Sequence, residues 1–368
     1  MREQFWRLPG PLSVLTEVRT ALLSGESLVL RMPPWAPDPV PPLQSMLPGN
    51  REVHDITSVA LDGQLPSERL LCKLIGVRDD DGLGNCGHRH AEPVITIRPA
   101  IGGPLDCWAR LLRRHYHATR QAAGAARLLL VVDASESLDT RETGAAPLID
   151  WKDAVRRLDM HLYAAQLLTN RSMSLLEREL CTTMTREIAA WCPDVAEQMA
   201  EAGPQQSFQP IPILRCLAEQ RQWTETTPAS WSHGTLNYQY GIGVLHAALA
   251  AARGDVREID RRLWRAQLEV LFPILEQLRA QLALRYSGQL RAIVDDAPEP
   301  APSDPLEWDI GPLAHRLVTA PNVRGAHRRL AAAMRDLRRP LAHLRPVSRG
   351  LALAPAIVQA VNEGLELR

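Results

Sequence analysis

The segment Leu128 to Asp133, LLLVVD, is an apolar run ending in an acid, and Ala134-Ser135-Glu136 supplies a second acid three residues later. An acid at the tip of a buried strand can hold a magnesium ion while a second acid activates water. Asp133 and Glu136 are therefore the candidate pair for metal-assisted chemistry on a nucleotide. A buried strand whose last aspartate caps the following turn has the same pattern. A second set, Cys86-Gly-His88-Arg-His90, gathers zinc-ligating residue types in one polar loop, with Asp79 to Asp81 before it and Cys72 upstream. Its Cys-x-His-x-His spacing is tighter than that of a usual finger and no second cysteine pair completes it, so a solvated loop is the plainer reading. His115 and His117 flank Tyr116 on one expected helix and point to different faces, which argues against a shared ligand. Ser232 beside His233 lacks the G-x-S-x-G context of a nucleophile elbow.

Arginines form the third candidate. Of 42 basic residues only Lys73 and Lys152 are lysine, leaving 40 arginines. Arg324, Arg328, Arg335 and Arg339 recur at helical spacing on one face, and eight arginines stand against the single acid Asp336 between Arg324 and Arg349. Such a stripe suits nucleic-acid phosphates or an acidic partner. A solvated face, or one folded onto the chain's own acidic connector at Asp295 to Glu299, fits the same residues.

A phosphate-binding loop of the form G-x-x-x-x-G-K-[ST] wraps phosphates in backbone N–H groups, neutralises them with lysine and offers a hydroxyl to magnesium. The matching place follows Ser27 to Met32 (SLVLRM) and holds Pro33, Pro34, Trp35 and Pro37. Three prolines remove three donors, and no lysine stands near. The chain is accordingly expected not to be an enzyme, and no cofactor is expected.

These residues depend on elements that the sequence also marks. Leu12 to Leu23 reads as an amphipathic helix, Ser27 to Met32 as a short buried strand, and Pro33 to Pro42 as a stretch that neither continues a strand nor starts a helix directly. Val53 to Leu61 reads as a strand, Ser67 to Ile75 as a helix, Val94 to Arg98 as a strand, Leu105 to Gln121 as a helix and Arg127 to Asp133 as a buried strand. This alternation predicts a mainly parallel sheet with helices on its faces. From Asp150 the pattern turns helical. Asp150 caps a helix to about Leu168, and Ser174-Leu-Leu-Glu177 and Asp255-Val-Arg-Glu258 are capping boxes. The second box opens a long helix with Val256, Ile259, Leu263, Val270, Ile274, Leu278 and Leu282 on one face, kinked at Pro273. Asp295 to Pro305 is an acidic, proline-rich connector, and a helix around Val323 to Arg338 follows it. The expected division is 1–145, 146–294 and, after the connector, 306–368.

The Leu8 to Pro11 start, the helix, the SLVLRM strand, the LLLVVDASES segment and the helical remainder together resemble a degenerate AAA or STAND-type P-loop NTPase module, over roughly the first 140 residues. The resemblance implies a P-loop NTPase-like α/β domain followed by a larger all-α region. It also implies an inactive nucleotide site at Asp133 and Glu136, and a scaffold or regulatory subunit of a multi-protein bacterial antiviral defence complex. A nucleic-acid-binding accessory protein using the arginine stripe, or an NTPase with an atypical loop, are the alternatives.

The bulk composition sets outer bounds. At 45% hydrophobic and 23% charged the chain has the balance of a globular protein, which excludes overall disorder. Its zero net charge means that any polyanion site is local. Met1 to Gly10 lacks a basic region followed by an apolar stretch, and no run of about 18 apolar residues occurs. The six cysteines are scattered and read as reduced and mostly buried. A cytoplasmic protein with no membrane partner is expected, whose partners are other protein subunits and, in the alternative, nucleic acid.

Overall fold

A computed structural model describes residues 2–48, 53–57, 66–76, 83–84, 93–100, 103, 105–120, 122, 124–294, 304–320 and 322–363. The chain divides into two compact units: Met1–Asp159 with Pro228–His246, and Met160–Thr227 with Ala247–Arg368. This division does not coincide with the expected 1–145, 146–294 and 306–368. Residues 228–246 return to the first unit, and the residues after the connector cluster with the rest of the second.

The first unit begins with α1 (Arg2–Phe5) and α2 (Pro9–Leu23), followed by β1 (Leu28–Met32), α3 (Val40–Met46), β2 (Val53–Thr57) and α4 (Glu68–Leu74). Then come β3 (Val94–Arg98), α5 (Leu105–Thr119), β4 (Arg127–Asp133), α6 (Thr140–Thr143) and β5 (Leu148–Asp150). The five strands form one sheet in the order β2-β3-β4-β1-β5, and every pairing is parallel. β1 is Leu-Val-Leu-Arg-Met with four of its five residues buried, as a central strand covered on both faces must be. On one side Val29, Ile95, Ile97, Leu128 and Leu130 share a core with Leu71 of α4 and Trp108, Leu111 and Leu112 of α5. Each fully buried leucine there contributes about 1.5–3 kcal/mol relative to exposure. α2 buries Val14, Leu15, Val18 and Leu22 and packs against β1 and β5.

Polar groups fix the strand starts. The buried Arg127 guanidinium donates to Thr119 O and Ala122 O, both at 2.9 Å, satisfying carbonyls at the end of α5. Ser27 Oγ accepts the Leu128 N–H at 2.9 Å and aligns the entries of β1 and β4.

Residues 228–246 contain a hairpin, β6 (Leu236–Gln239) and β7 (Ile242–Leu245), paired antiparallel. Its two-residue turn has Tyr240 at φ 53° and Gly241 at φ 76°, the left-handed pair that matches strand twist.

The second unit takes up α7 (Arg157–Leu168), in whose first turn the division falls, α8 (Leu175–Ala189), α9 (Pro193–Ala202), α10 (Pro204–Ser207), α11 (Ile211–Gln220) and α12 (Ala247–Ala252). It continues with α13 (Val256–Arg285), α14 (Ser287–Val294), a short 3-10 turn at Pro305–Glu307, α15 (Ile310–Thr319), α16 (Gly325–Ala342), α17 (Arg349–Ala352) and α18 (Pro355–Asn362). Among the described residues this unit has no strand. Only the N-cap half of each expected capping box forms: Ser174 Oγ accepts the Glu177 N–H at 3.2 Å and Asp255 Oδ1 accepts the Glu258 N–H at 3.1 Å, while the two glutamate carboxylates are taken by Arg349 and by Arg261 and Arg262. The buried Arg186 on α8 forks Glu269 on α13 at 2.6 and 3.0 Å, a pairing that specifies how the two helices register.

The architecture expected from the sequence holds: a parallel sheet flanked by helices, followed by a larger helical region. Three local expectations are corrected. Asp150 does not cap a helix; it ends the edge strand β5, its carboxylate is taken by Arg31, and the helix starts at Arg157. The proline stretch does start a helix at Val40, because Pro41 and Pro42 fall in the first turn, where no intrahelical N–H is needed. The buried face of α13 runs through Leu271 and Leu275 rather than Val270 and Ile274. Among the described residues no helix is long and apolar enough to cross a membrane.

Candidate functional site

In the parallel ladder Met32 is the register partner of Asp133, and the Ala134 N–H donates to Met32 O at 2.7 Å. The end of β1 and the end of β4 therefore lie side by side at the carboxyl edge of the sheet, where open α/β sheets bind ligands. The loop after β1 and the Asp133 to Glu136 segment, which the sequence suggests as parts of a degenerate nucleotide site, are thus neighbours.

The loop after β1 is occupied by its own side chains. Ala36 N–H closes a tight turn on Pro33 O at 3.1 Å, and Trp35 is buried. Behind it stands an aromatic wall. The Trp35 and Trp151 rings are 6.4 Å apart, and Trp151 meets Trp6 at 5.2 Å and Phe5 at 6.3 Å. The segment leading into the hairpin closes over the loop. A Cβ on Gly234 would lie 3.0 Å from Trp35 Cδ1 and 3.3 Å from Pro34 Cγ. Arg31 of β1 pairs with Asp150 of β5 and lies under the Trp231 ring at 5.4 Å, while Lys152 Nζ sits 4.1 Å from the Tyr238 ring centroid.

The acids along this edge are engaged from within the unit. Arg98, at the end of β3, forks Asp55 at 2.7 and 3.2 Å and reaches Asp38 at 3.0 Å. Asp38 in turn accepts the Val40 N–H at 3.0 Å, in the turn that leads into α3. Asp133 Oδ1 accepts both the N–H and the hydroxyl of Ser135, at 2.7 and 2.6 Å, which folds the acid into its own turn. Glu136 follows, half-buried, with its N–H on Asp133 O at 3.0 Å. Among the described residues no group of three or more histidine, cysteine, aspartate or glutamate side chains converges as a metal site. The arrangement offers a proline- and tryptophan-filled crevice with matched charges, in place of a cradle of backbone donors and a lysine.

Comparison with known proteins gives a distant structural likeness. No protein-family model matches the sequence, and no curated protein matches it. The crystal structure of Cdc6p from Pyrobaculum aerophilum aligns over 98% of this chain and 96% of that chain, at 14% identity and a TM-score of 0.35.

The arginine stripe of the second unit is divided by its contacts. Arg328 is half-buried and donates to Ala320 O at 2.6 Å, finishing the C-terminus of α15. Arg335 forks its neighbour Asp336 at 2.9 and 3.0 Å. Arg324 immediately precedes α16, and both it and Arg339 are exposed. Nearby, Arg338 pairs with Asp309 at 3.1 Å and Arg349 with Glu177 at 2.6 Å. Part of the basic run thus serves intramolecular contacts. The connector Asp295 to Glu299 lies outside the described residues.

Cys86, His88 and His90, with Asp79 to Asp81, also lie outside the described residues. Cys72 is buried on α4. His115 is buried with Nε2 2.9 Å from Ala126 O, and His117 is exposed. Ser232 does approach His233, at 3.3 Å, but Ser230 Oγ is nearer Nδ1 at 2.7 Å and also accepts the His233 N–H at 3.1 Å. These groups close a local turn. None of the five described cysteines is in a disulfide; Cys72, Cys181 and Cys192 are buried, and burial pushes the Cys181 thiol up to about 11.

Sequence reasoning missed Arg98 with Asp38 and Asp55, Arg31 with Asp150, and the hairpin itself. The hairpin had a readable signal: Leu-Asn-Tyr-Gln and Ile-Gly-Val-Leu flank a Tyr-Gly turn. The ion pairs had none, because their partners are far apart in sequence.

Proposed function

We propose that this protein is a non-catalytic scaffold or regulatory subunit of a multi-protein complex, working in the bacterial cytoplasm. The observation that carries the reading is the packing of Gly234 on Pro34 and Trp35. The segment before the hairpin and an indole pack over the loop after β1, and Pro33, Pro34 and Pro37 have no N–H to offer a phosphate there. The antiviral-defence setting rests on the resemblance of the SLVLRM and LLLVVDASES segments to degenerate NTPase modules, and the identity of neighbouring genes tests it.

Calorimetric titration of the full chain with ATP or ADP and magnesium tests the central claim. No binding heat is expected. Clear binding that disappears in Asp133→Ala would overturn the reading and make the protein a nucleotide-controlled switch.

A second reading, a nucleic-acid-binding accessory protein, is favoured by the exposure of Arg324 and Arg339 at the two ends of α16. It predicts binding that weakens steeply with salt. Arg324→Glu/Arg339→Glu leaves the Arg328 cap intact, and unchanged binding in that variant would reject the site.

A further inference from the structure

The sheet order ends at β5, so one edge of this strand has no strand partner among the described residues. The ladder shows which groups that edge offers. Val29 N–H donates to Pro147 O at 2.9 Å and Trp151 N–H to Arg31 O at 3.0 Å, in the register Val29↔Leu148 and Arg31↔Asp150. In a parallel pair alternate residues bond to the same neighbour, so residues 147, 149 and 151 face β1. The backbone N–H and C=O of Leu148 and Asp150 face away from it. Pro147 lacks an N–H, but it belongs to the β1 side, so no outward donor is lost.

A groove of about 780 Å³ runs between this edge and α2. Exposed Leu12 and Leu148 give it an apolar rim. The hydroxyls of Thr16 and Thr20 along its wall are already bonded to Leu12 O and Thr16 O, at 2.8 and 2.7 Å. Its charge is one-sided. Glu17 is exposed and Glu26 half-buried, neither is in an ion pair among the described residues, and no residue lining the groove is basic. Isolated edges are often blunted by lysine; among the described residues none of those lining this groove is basic, and no strand continues the sheet past β5.

We infer that the groove along β5 is a docking site for an extended, basic segment of a partner protein, which adds a strand beside Leu148 and Asp150 and sets lysine or arginine against Glu17 and Glu26. Backbone pairing supplies the geometry, the two carboxylates select the sign of the charge, and Leu12 and Leu148 take apolar side chains on alternate positions. The inference rests on the scaffold reading in taking the partner to be a protein. Its test uses no nucleotide, so an ATP-binding result would overturn that reading and leave the groove standing.

The probe is a synthetic eight-residue peptide of alternating lysine and valine, titrated into the full chain, with an alternating glutamate–valine peptide as control. Fluorescence anisotropy reads affinity, and amide hydrogen exchange reads the place. The basic peptide is expected to bind and to slow exchange at Leu148 and Asp150. Glu17→Gln/Glu26→Gln, both surface changes, is expected to weaken it about fivefold and flatten its salt dependence. Equal binding of both peptides, binding without protection at Leu148 and Asp150, or no binding would each overturn the proposal.

Discussion

Gly10 lies so close to Ala154 that a Cβ built on it would stand 1.9 Å from the Ala154 carbonyl oxygen. The Gly10 N–H donates to Asp159 Oδ1 at 2.8 Å, and the other oxygen of that buried carboxylate accepts the Arg156 N–H at 2.7 Å. The glycine in the Leu-Pro-Gly-Pro start is thus required by a backbone contact with the segment after β5. Gly10→Ala is expected to destabilise the protein by about 1–3 kcal/mol, the usual cost of overpacking. Urea unfolding measures it, and a variant as stable as the parent would mean the contact is not made.

Gln267 is fully buried on α13, donates to Val347 O at 3.0 Å and accepts the Val347 N–H at 2.7 Å. It satisfies both backbone groups of a buried residue eighty positions away. Gln267→Leu keeps the volume and strands two polar groups, so a loss of about 2–4 kcal/mol is expected. Gln267→Glu keeps the acceptor but sets a buried carboxylate against the Val347 carbonyl, so at neutral pH it is expected to lose at least as much. If Gln267→Leu unfolds at the same urea concentration as the parent, water has replaced the amide and the account fails.

The same glutamine explains why α13 was misread. Its buried stripe passes through Leu263, Gln267, Leu271 and Leu275. A reading that follows only apolar residues skips Gln267 and rejoins one position early, at Val270 and Ile274. Elements whose signal is local were legible: Val94–Arg98 and Arg127–Asp133 by their apolar, β-branched runs, and α8 and α13 by Ser174 and Asp255. β5 was not, since three residues ending in Asp150 look like a helix cap until Arg31 is seen to claim the carboxylate. The candidate site was half legible. Strand order set Asp133 near the loop after β1, but the hairpin's closure over Trp35 comes from a segment some two hundred residues away that sits amid helices.

His327 is buried on α16 with Nδ1 2.7 Å from the Tyr286 hydroxyl, which accepts the Arg324 N–H at 3.3 Å. A hydroxyl receiving a proton on one side and donating to the imidazole on the other suits a neutral histidine. Burial first, then the charges of Arg285 and Arg324, hold its pKa below the ordinary 6.5, against a weaker opposite pull from Glu363. With the folded value depressed, the unfolded chain takes up the proton more readily. The contribution to stability is complete above about pH 6.5 and is lost as the pH falls toward and through the lower folded value. Urea midpoints at pH 7.5, 6.5 and 5.5 should drop more steeply in the parent than in His327→Gln. Parallel curves would show that this histidine does not titrate with unfolding.

Gly234 and Gly241 both adopt left-handed backbone, at φ 67° and 76°, yet their surroundings differ. A Cβ at Gly241 meets nothing within 4 Å, whereas one at Gly234 meets Trp35 at 3.0 Å and Pro34 at 3.3 Å. Alanine at Gly241 therefore carries only the conformational cost, about 1–2 kcal/mol. At Gly234 the same cost adds to a clash with a buried indole and a proline ring, neither of which is the end of a flexible chain. Gly234→Ala is expected to lose at least about 1 kcal/mol more than Gly241→Ala. It should also change tryptophan fluorescence, because Trp35 must shift from its place beside Trp151. Equal losses with unchanged fluorescence would mean that the hairpin segment does not press on the loop after β1, and the physical basis for a filled phosphate site would go with it.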